Sequence, residues 1–140
     1  MLDVLLVEDN PGDARLTLES FRDANKSIRL HLASDGVEAM AFLRREGVNT
    51  EAPRPVLILL DLNLPKMDGR EVLAKVKGDA GLNTIPIIIL TTSDAESDIC
   101  KSYQLQANCY LTKPVRLEDF ENLVKSVNDF WLTKVRLLTD

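Results

Sequence analysis

Residues 56–61, Val-Leu-Ile-Leu-Leu-Asp, constrain this chain more than any other stretch. Five consecutive apolar residues, preceded by Pro53 and Pro55 and followed by Pro65, are too few for a helix and have no polar face. That is the pattern of a strand buried on both sides, which belongs in a parallel sheet with helices above and below it. Asp61 closes the run. A carboxylate at the C-terminal end of a central parallel strand stands where open α/β sheets bind ligands. An Asp there can equally begin a turn toward Asp68 and Gly69, and alone it does not decide between the two.

The remaining chain supplies the sheet. Residues 3–7, Asp-Val-Leu-Leu-Val, form a second short apolar run, stopped by Glu8-Asp9-Asn10-Pro11-Gly12. Asn10 suits an N-cap and Pro11 a first helical position, so a helix is predicted to about Asp23 with Ala14, Leu18 and Phe21 inward. Ile28, Leu30 and Leu32 alternate with polar neighbours, which predicts an edge strand with His31 on its solvent side. Ser34-Asp35-Gly36 caps a second helix that packs through Val37, Met40, Phe42 and Leu43, and Gly47 marks its end. Residues 47–55 are a polar loop. A helix over 69–77 turns Val72, Leu73 and Val76 inward. Pro86 opens a fourth strand, Ile-Ile-Ile-Leu, ending in Thr91-Thr92-Ser93. The next helix, 94–105, has thin apolar content and is expected to be the least firmly held. Cys109-Tyr110-Leu111 is a short fifth strand ending in Thr112-Lys113-Pro114.

The last helix, 117–131, carries Leu117, Phe120, Val124, Val127 and Trp131 at spacings of three and four. Leu123 and Phe130 widen that stripe beyond what packing on a sheet requires. Leu123, Val127, Phe130 and Trp131 are therefore assigned to a dimer or partner surface, with an ordinary core face as the other reading.

Five alternations of strand and helix imply an α/β fold with a parallel five-stranded sheet and right-handed crossovers. With 140 residues the chain suits one domain, taken as 1–128 with 129–140 extending the last helix and no output domain following. A net charge of −5 and no Lys/Arg-rich run argue against nucleic-acid binding. No apolar run is long enough to span a bilayer, and Asp3 and Glu8 exclude a signal-peptide pattern, which points to the cytoplasm. Cys100 and Cys109 lack a metal-ligand spacing and read as small packing residues.

Parallel topology brings Glu8, Asp9, Asp61, Thr91 and Lys113 to one edge of the sheet. Three neighbouring carboxylates raise one another's pKa values unless a cation lies between them. An all-oxygen set with room for water suits Mg²⁺, with Mn²⁺ the alternative ion. Three negative charges against a divalent metal and one ammonium come to about zero, so a phosphoryl group can approach if donors are present. The Thr91 hydroxyl and Lys113 ammonium are such donors. The chemistry indicated is phosphoryl transfer onto the Asp61 carboxylate.

These residues, with Asp61 followed by Leu62-Asn63-Leu64-Pro65 and Met67-Asp68-Gly69, and with Lys113-Pro114, resemble the receiver domains of two-component response regulators over nearly the whole chain. The resemblance implies the flavodoxin-like (βα)5 fold, strand order 2-1-3-4-5, and Asp61 as phosphoacceptor. It implies Glu8, Asp9, Asp61 and the backbone carbonyl of Asn63 as Mg²⁺ ligands, and Thr91 and Lys113 as phosphoryl contacts. It further implies Thr91 and Tyr110 as the switch pair and a cis bond before Pro114. Glu8 stands where many members have Asp, Thr92 where Ala is usual, and Val115 where Phe is frequent; none of these removes a required group. The 47–55 loop, the run Asn108-Cys109-Tyr110-Leu111-Thr112-Lys113 and the ending Phe130-Trp131-Leu132 resemble small single-domain regulators that partner bacterial, especially cyanobacterial, phytochromes. The implied partner is a sensor histidine kinase, of phytochrome type; the wide stripe on the last helix adds a second copy of the chain as an expected partner.

The competing readings each lack a residue. An aspartate-nucleophile phosphatase wants Asp-x-Asp after the first strand, where this chain has Glu8-Asp9-Asn10. A flavodoxin-like electron carrier needs a Ser/Thr/Gly-rich phosphate loop in place of the acidic Asn10-Pro11-Gly12-Asp13. A pseudo-receiver serving only as a dimeric adaptor is expected to lack Asp61 or Lys113, and both are present.

Overall fold

Leu57, Ile58, Leu59 and Leu60 form a strand, β3 (Leu57–Leu60), whose four side chains have essentially no solvent exposure. Burying each is worth about 1.5–3 kcal/mol, so the strand is held by both faces at once. It is the central strand. The computed structural model describes residues 1–139, and the sheet runs β2-β1-β3-β4-β5, parallel throughout. The flanking strands are β1 (Leu2–Val7), β2 (Ile28–Ala33), β4 (Ile87–Thr91) and β5 (Cys109–Thr112).

The helices are α1 (Pro11–Ala24), α2 (Gly36–Arg44), α3 (Gly69–Lys77), α4 (Glu96–Gln104) and α5 (Leu117–Trp131). Successive residues of a strand point to opposite faces, and the core divides accordingly. Leu5, Val7, Ile58, Leu60, Ile87 and Ile89 meet Met40 and Leu43 of α2 and Val72, Leu73 and Val76 of α3. On the other face Val4, Leu6, Leu57, Leu59 and Ile88 meet Phe21 of α1 and Phe120, Val124 and Val127 of α5. The flavodoxin-like order expected from the sequence is the order observed.

Helix ends follow the local chemistry. Asn10 caps α1 by accepting from the Asp13 amide at 2.9 Å, with Pro11 in the first turn. Asp35 caps α2 through the Glu38 amide, and Asp68 caps α3 through the Arg70 amide. Gly69 is fixed by a close approach: a Cβ there would lie 2.1 Å from the Asp61 carbonyl oxygen. Only glycine lets the loop fold back onto the end of β3.

Several expectations need correction. Val127 belongs to the core, because its register on α5 turns it onto the sheet with Val124. Val37 and Leu117, expected inward, are half exposed; each is in the first turn of its helix, outside the arc that meets the sheet. The αL C-cap of α2 is Arg45, whose amide donates to the Ala41 and Phe42 carbonyls, and Gly47 instead opens a single 3₁₀ turn (Gly47–Asn49). His31 is half-buried against the Phe42 ring, centroids 5.3 Å apart, with Nε2 2.9 Å from Asp3 Oδ1. Among the described residues no helix is long and apolar enough to cross a membrane.

Asp3 ties β1 to the edge strand, accepting from Arg29 Nε at 2.9 Å and Nη2 at 3.2 Å as well as facing His31. Burial alone would push its carboxyl up, but the His31 and Arg29 partners outweigh that and hold it below the ordinary carboxylate value. A lowered native pKa contributes stability that is present above the unfolded-state value and is lost as pH falls through the native one. Asp3→Asn should therefore lower the urea midpoint at neutral pH by an amount that shrinks below about pH 4. A penalty that stays constant down to pH 2 would contradict this assignment.

Candidate functional site

The C-terminal ends of β1, β3, β4 and β5 meet at one edge of the sheet, and each delivers a polar side chain to it. Asp61 directly follows β3; its backbone amide donates to the Val7 carbonyl, continuing the ladder one residue past the strand. The carboxylate is mostly buried and both oxygens are engaged. Thr91 donates its hydroxyl to Asp61 Oδ1 at 2.8 Å, and the Asn63 amide reaches the same oxygen at 3.2 Å. Lys113 Nζ donates to Asp61 Oδ2 at 3.1 Å. Thr91 itself is fully buried, so its hydroxyl is fixed in direction by the end of β4.

Lys113 is the hub. Its ammonium also donates to Glu8 Oε1 and, at 3.2 Å, to Asp13 Oδ2, while its backbone amide bonds the Thr91 carbonyl at 2.6 Å. Burial would push this ammonium down, but Glu8 and Asp61 outweigh burial and hold it above the usual lysine value. Glu8 behaves oppositely: burial pushes its carboxyl up, and Lys113 only partly offsets the effect. Glu8 Oε2 accepts from the Asn10 amide at 3.1 Å, which anchors the carboxylate to the start of α1.

Glu8, Asp9 and Asp61 each offer one oxygen within 4.8 Å of the others. Octahedral Mg²⁺ takes oxygens at about 2.1 Å, so opposite ligands stand about 4.2 Å apart, close to this spread. The donor set is entirely oxygen and Asp9 is exposed, leaving a side open to water. The cluster therefore fits a hard divalent cation.

Tyr110, in β5, is half-buried and donates its hydroxyl to the Ser93 carbonyl at 2.9 Å. It is thereby tied to the loop that follows Thr91, not to Asp61. Sequence reasoning missed Asp13, which touches Lys113 across 100 residues of chain; as the third residue of α1 it looks like an ordinary acidic helix start. It also missed Arg70 and Asp98, whose ion pair bridges α3 to α4. No spacing in the sequence marks that pair.

The match to known proteins is now decisive: the response regulator receiver domain model matches residues 4–125. The chain belongs to this family. Response regulator Rcp1 of Synechocystis sp. is 48% identical over 134 residues, covering 96% of this chain and 91% of that protein. The crystal structure of the Mn²⁺-bound form of Rcp1 superposes with a TM-score of 0.94 at 47% identity, covering 99% of this chain and all of that one. The phosphorylated cyanobacterial phytochrome response regulator RcpA gives a TM-score of 0.95 at 47% identity, with 99% of both chains covered.

One feature expected of the receiver domain differs. Among the described residues there is no cis peptide bond, so the bond before Pro114 is trans. The tertiary amide of an X–Pro bond separates the isomers by only about 0.5–1 kcal/mol, which local packing can override in either direction. Of the proposed α5 surface, Phe130 is exposed and stands edge-on to the half-buried Trp131, ring centroids 5.9 Å apart; Leu123 is half-buried and Val127 is removed from it.

Lys113 is the cation that this receiver domain itself places among its carboxylates. Lys113→Met should cost about 3–5 kcal/mol, the usual penalty for stripping one partner from a buried ion pair. Millimolar Mg²⁺ should raise the melting midpoint of the variant more than that of the parent, since the metal then supplies the missing charge. Circular-dichroism melts with MgCl₂ or EDTA measure both quantities; equal metal-induced shifts would show that ammonium and metal do not share these carboxylates.

Proposed function

We propose that this receiver domain is a phosphorylation switch in which Asp61 accepts a phosphoryl group from a sensor histidine kinase of phytochrome type, in the cytoplasm. The observation that carries the reading is the engagement of both Asp61 oxygens, by Thr91 and by Lys113, beside the carboxylates of Glu8 and Asp9. Kinship with Rcp1 and with phosphorylated RcpA supports the kinase class. An adaptor that never accepts phosphate has no need of this arrangement.

In the transfer, the N–P bond of a phosphohistidine breaks as an Asp61 oxygen forms the new O–P bond, and the released imidazole is protonated from water. Glu8, Asp9, Asp61 and the Asn63 backbone carbonyl are the proposed holders of Mg²⁺, with Mn²⁺ able to substitute. Bound there, the cation supplies positive charge against the phosphoryl oxygens. Lys113, bonded to Glu8 and Asp61, would offer a second positive charge and is kept protonated by its carboxylate neighbours. Asp13, 3.2 Å from the ammonium, helps to hold it beside Asp61.

Phosphorylation then biases two conformers through Thr91. Its hydroxyl, now on Asp61 Oδ1, re-aims to a phosphoryl oxygen, and Tyr110 responds through the loop between them. A charge-assisted hydrogen bond is worth about 1.5–3 kcal/mol. Thr91 and Lys113 already bond the carboxylate, so only the difference drives the shift. At about 1.4 kcal/mol per tenfold change, that difference moves the population without having to create a new state.

The signal leaves through protein contacts, and a second copy of the chain is the proposed partner at Phe130, Trp131 and Leu123. Aromatic side chains commonly anchor interfaces, and here the exposed Phe130 stands beside the half-buried Trp131.

Incubated with acetyl phosphate and Mg²⁺, the parent should gain one base-labile phosphate by mass, and Asp61→Asn none. Equal labelling of both would overturn Asp61 as the acceptor. In gel filtration the parent should elute as a dimer and Phe130→Ala/Trp131→Ala as a monomer; a parent that is monomeric at every concentration removes the dimer.

A further inference from the structure

The helix α4 is poorly anchored by the means that hold the others. Its single fully buried side chain is Ser102, whose hydroxyl has no hydrogen-bond partner among the described residues. Cys100 and Tyr103 are exposed, Ile99 is half-buried, and the N-cap residue Ala95 offers no side-chain hydrogen bond. Neither apolar burial nor capping fixes this element beside the site.

A polar chain does. Arg70, at the start of α3, places Nη2 2.6 Å and Nε 3.2 Å from Asp98 Oδ1, while Nη1 lies 3.1 and 3.2 Å from the two oxygens of Asp68. Asp68 caps α3 next to Gly69, which packs on the Asp61 carbonyl, so the guanidinium stands on rigid ground. The other Asp98 oxygen accepts the Ser93 hydroxyl at 2.6 Å. Ser93 in turn presents its carbonyl to Tyr110 and follows Thr91 by two residues. The Ser93 and Arg70 hydrogen bonds hold the Asp98 carboxyl below its ordinary value, and Asp98 and Asp68 hold Arg70 above its own, as a persistent ion pair requires.

We propose that Arg70 and Asp98 are positioning residues: a latch that, through Ser93, sets where the 91–95 segment lies beside Asp61 and where Tyr110 is held. The proposal rests on Asp61 being the acceptor. Both charged side chains are partly exposed, 29% and 23%, so the pair contributes little to global stability. Its effect falls on the loop. With the latch closed the Ser93 hydroxyl is committed to Asp98 and the segment is still; with it open, the loop moves, Tyr110 loses a fixed acceptor and water reaches the acyl phosphate more readily.

The chain has two tyrosines, Tyr103 and Tyr110, so 3-fluorotyrosine labelling gives two fluorine resonances that Tyr103→Phe assigns. Arg70→Gln and Asp98→Asn should each shift or broaden the Tyr110 resonance in the unphosphorylated protein. After loading with acetyl phosphate and Mg²⁺, both should lose the phosphoryl group about threefold faster or more, and the double variant no faster than either single one. Melting midpoints should remain near that of the parent, and the exposed α4 variant Glu96→Gln should match the parent throughout. An unchanged Tyr110 resonance in both variants, parental phosphoryl lifetimes, or additive effects in the double variant would overturn the latch. A parent that takes up no phosphate overturns the acceptor reading, and the Tyr110 resonance then decides the latch on its own.

Discussion

The Lys113 ammonium, buried among Glu8, Asp13 and Asp61, is the interaction on which the rest of this structure depends. Three strand ends and the first turn of α1 bring their charges to one point, and the buried carboxylates of Glu8 and Asp61 need a cation beside them. The same residue fixes the backbone, because its amide bonds the Thr91 carbonyl and so sets the spacing between the ends of β4 and β5. One ammonium does not neutralise the set. Glu8, Asp9, Asp13 and Asp61 against Lys113 leave about three negative charges, so the edge fits a divalent cation, and on the proposed reading that cation offsets most of the charge an incoming phosphoryl dianion meets.

The two core clusters explain how such a site is held still. Glu8 and Asp61 extend strands buried on both faces, and α3 begins on a glycine packed against the Asp61 carbonyl. On this side there is almost no freedom. On the other, α4 is attached by polar contacts and one buried serine. A switch needs both properties within a few residues: a frame rigid enough to align Asp61, and a neighbour loose enough to respond to it.

How much of this could be read from the sequence follows from how local each signal is. The strand at residues 57–60, the Asn10 and Asp35 caps and the carboxylates at the strand ends are written within a few positions, and the alternation of strands with helices assembles them. The family resemblance supplied the strand order, which periodicity alone leaves open. Errors fall where a third element decides. Val127 was assigned with its neighbours to a partner surface, yet it packs in the core with Phe120 and Val124. His31 sat on the polar side of an alternation, but Phe42 and Asp3 cover that side. Asp13 and the Arg70–Asp98 pair are joined only in three dimensions, across 100 and 28 residues respectively, and no window of sequence contains them.

The position of the aromatic pair on α5 bears on how the signal leaves. Helix α5 starts just after Lys113 and runs 15 residues to Trp131, about 22 Å at 1.5 Å per residue, so Phe130 and Trp131 lie at the far end of the molecule from Asp61. Between them Phe120, Val124 and Val127 are locked into the core cluster against β1 and β3. A close-packed helix transmits a local change poorly unless it moves as a whole, and nothing near Lys113 supplies the energy to strip those three side chains from the sheet. The proposed pairing through Phe130 and Trp131 is therefore one that phosphorylation leaves unchanged. The face that changes is the one beside Tyr110 and α4, where the packing is thin enough for a shift of a few kcal/mol to matter.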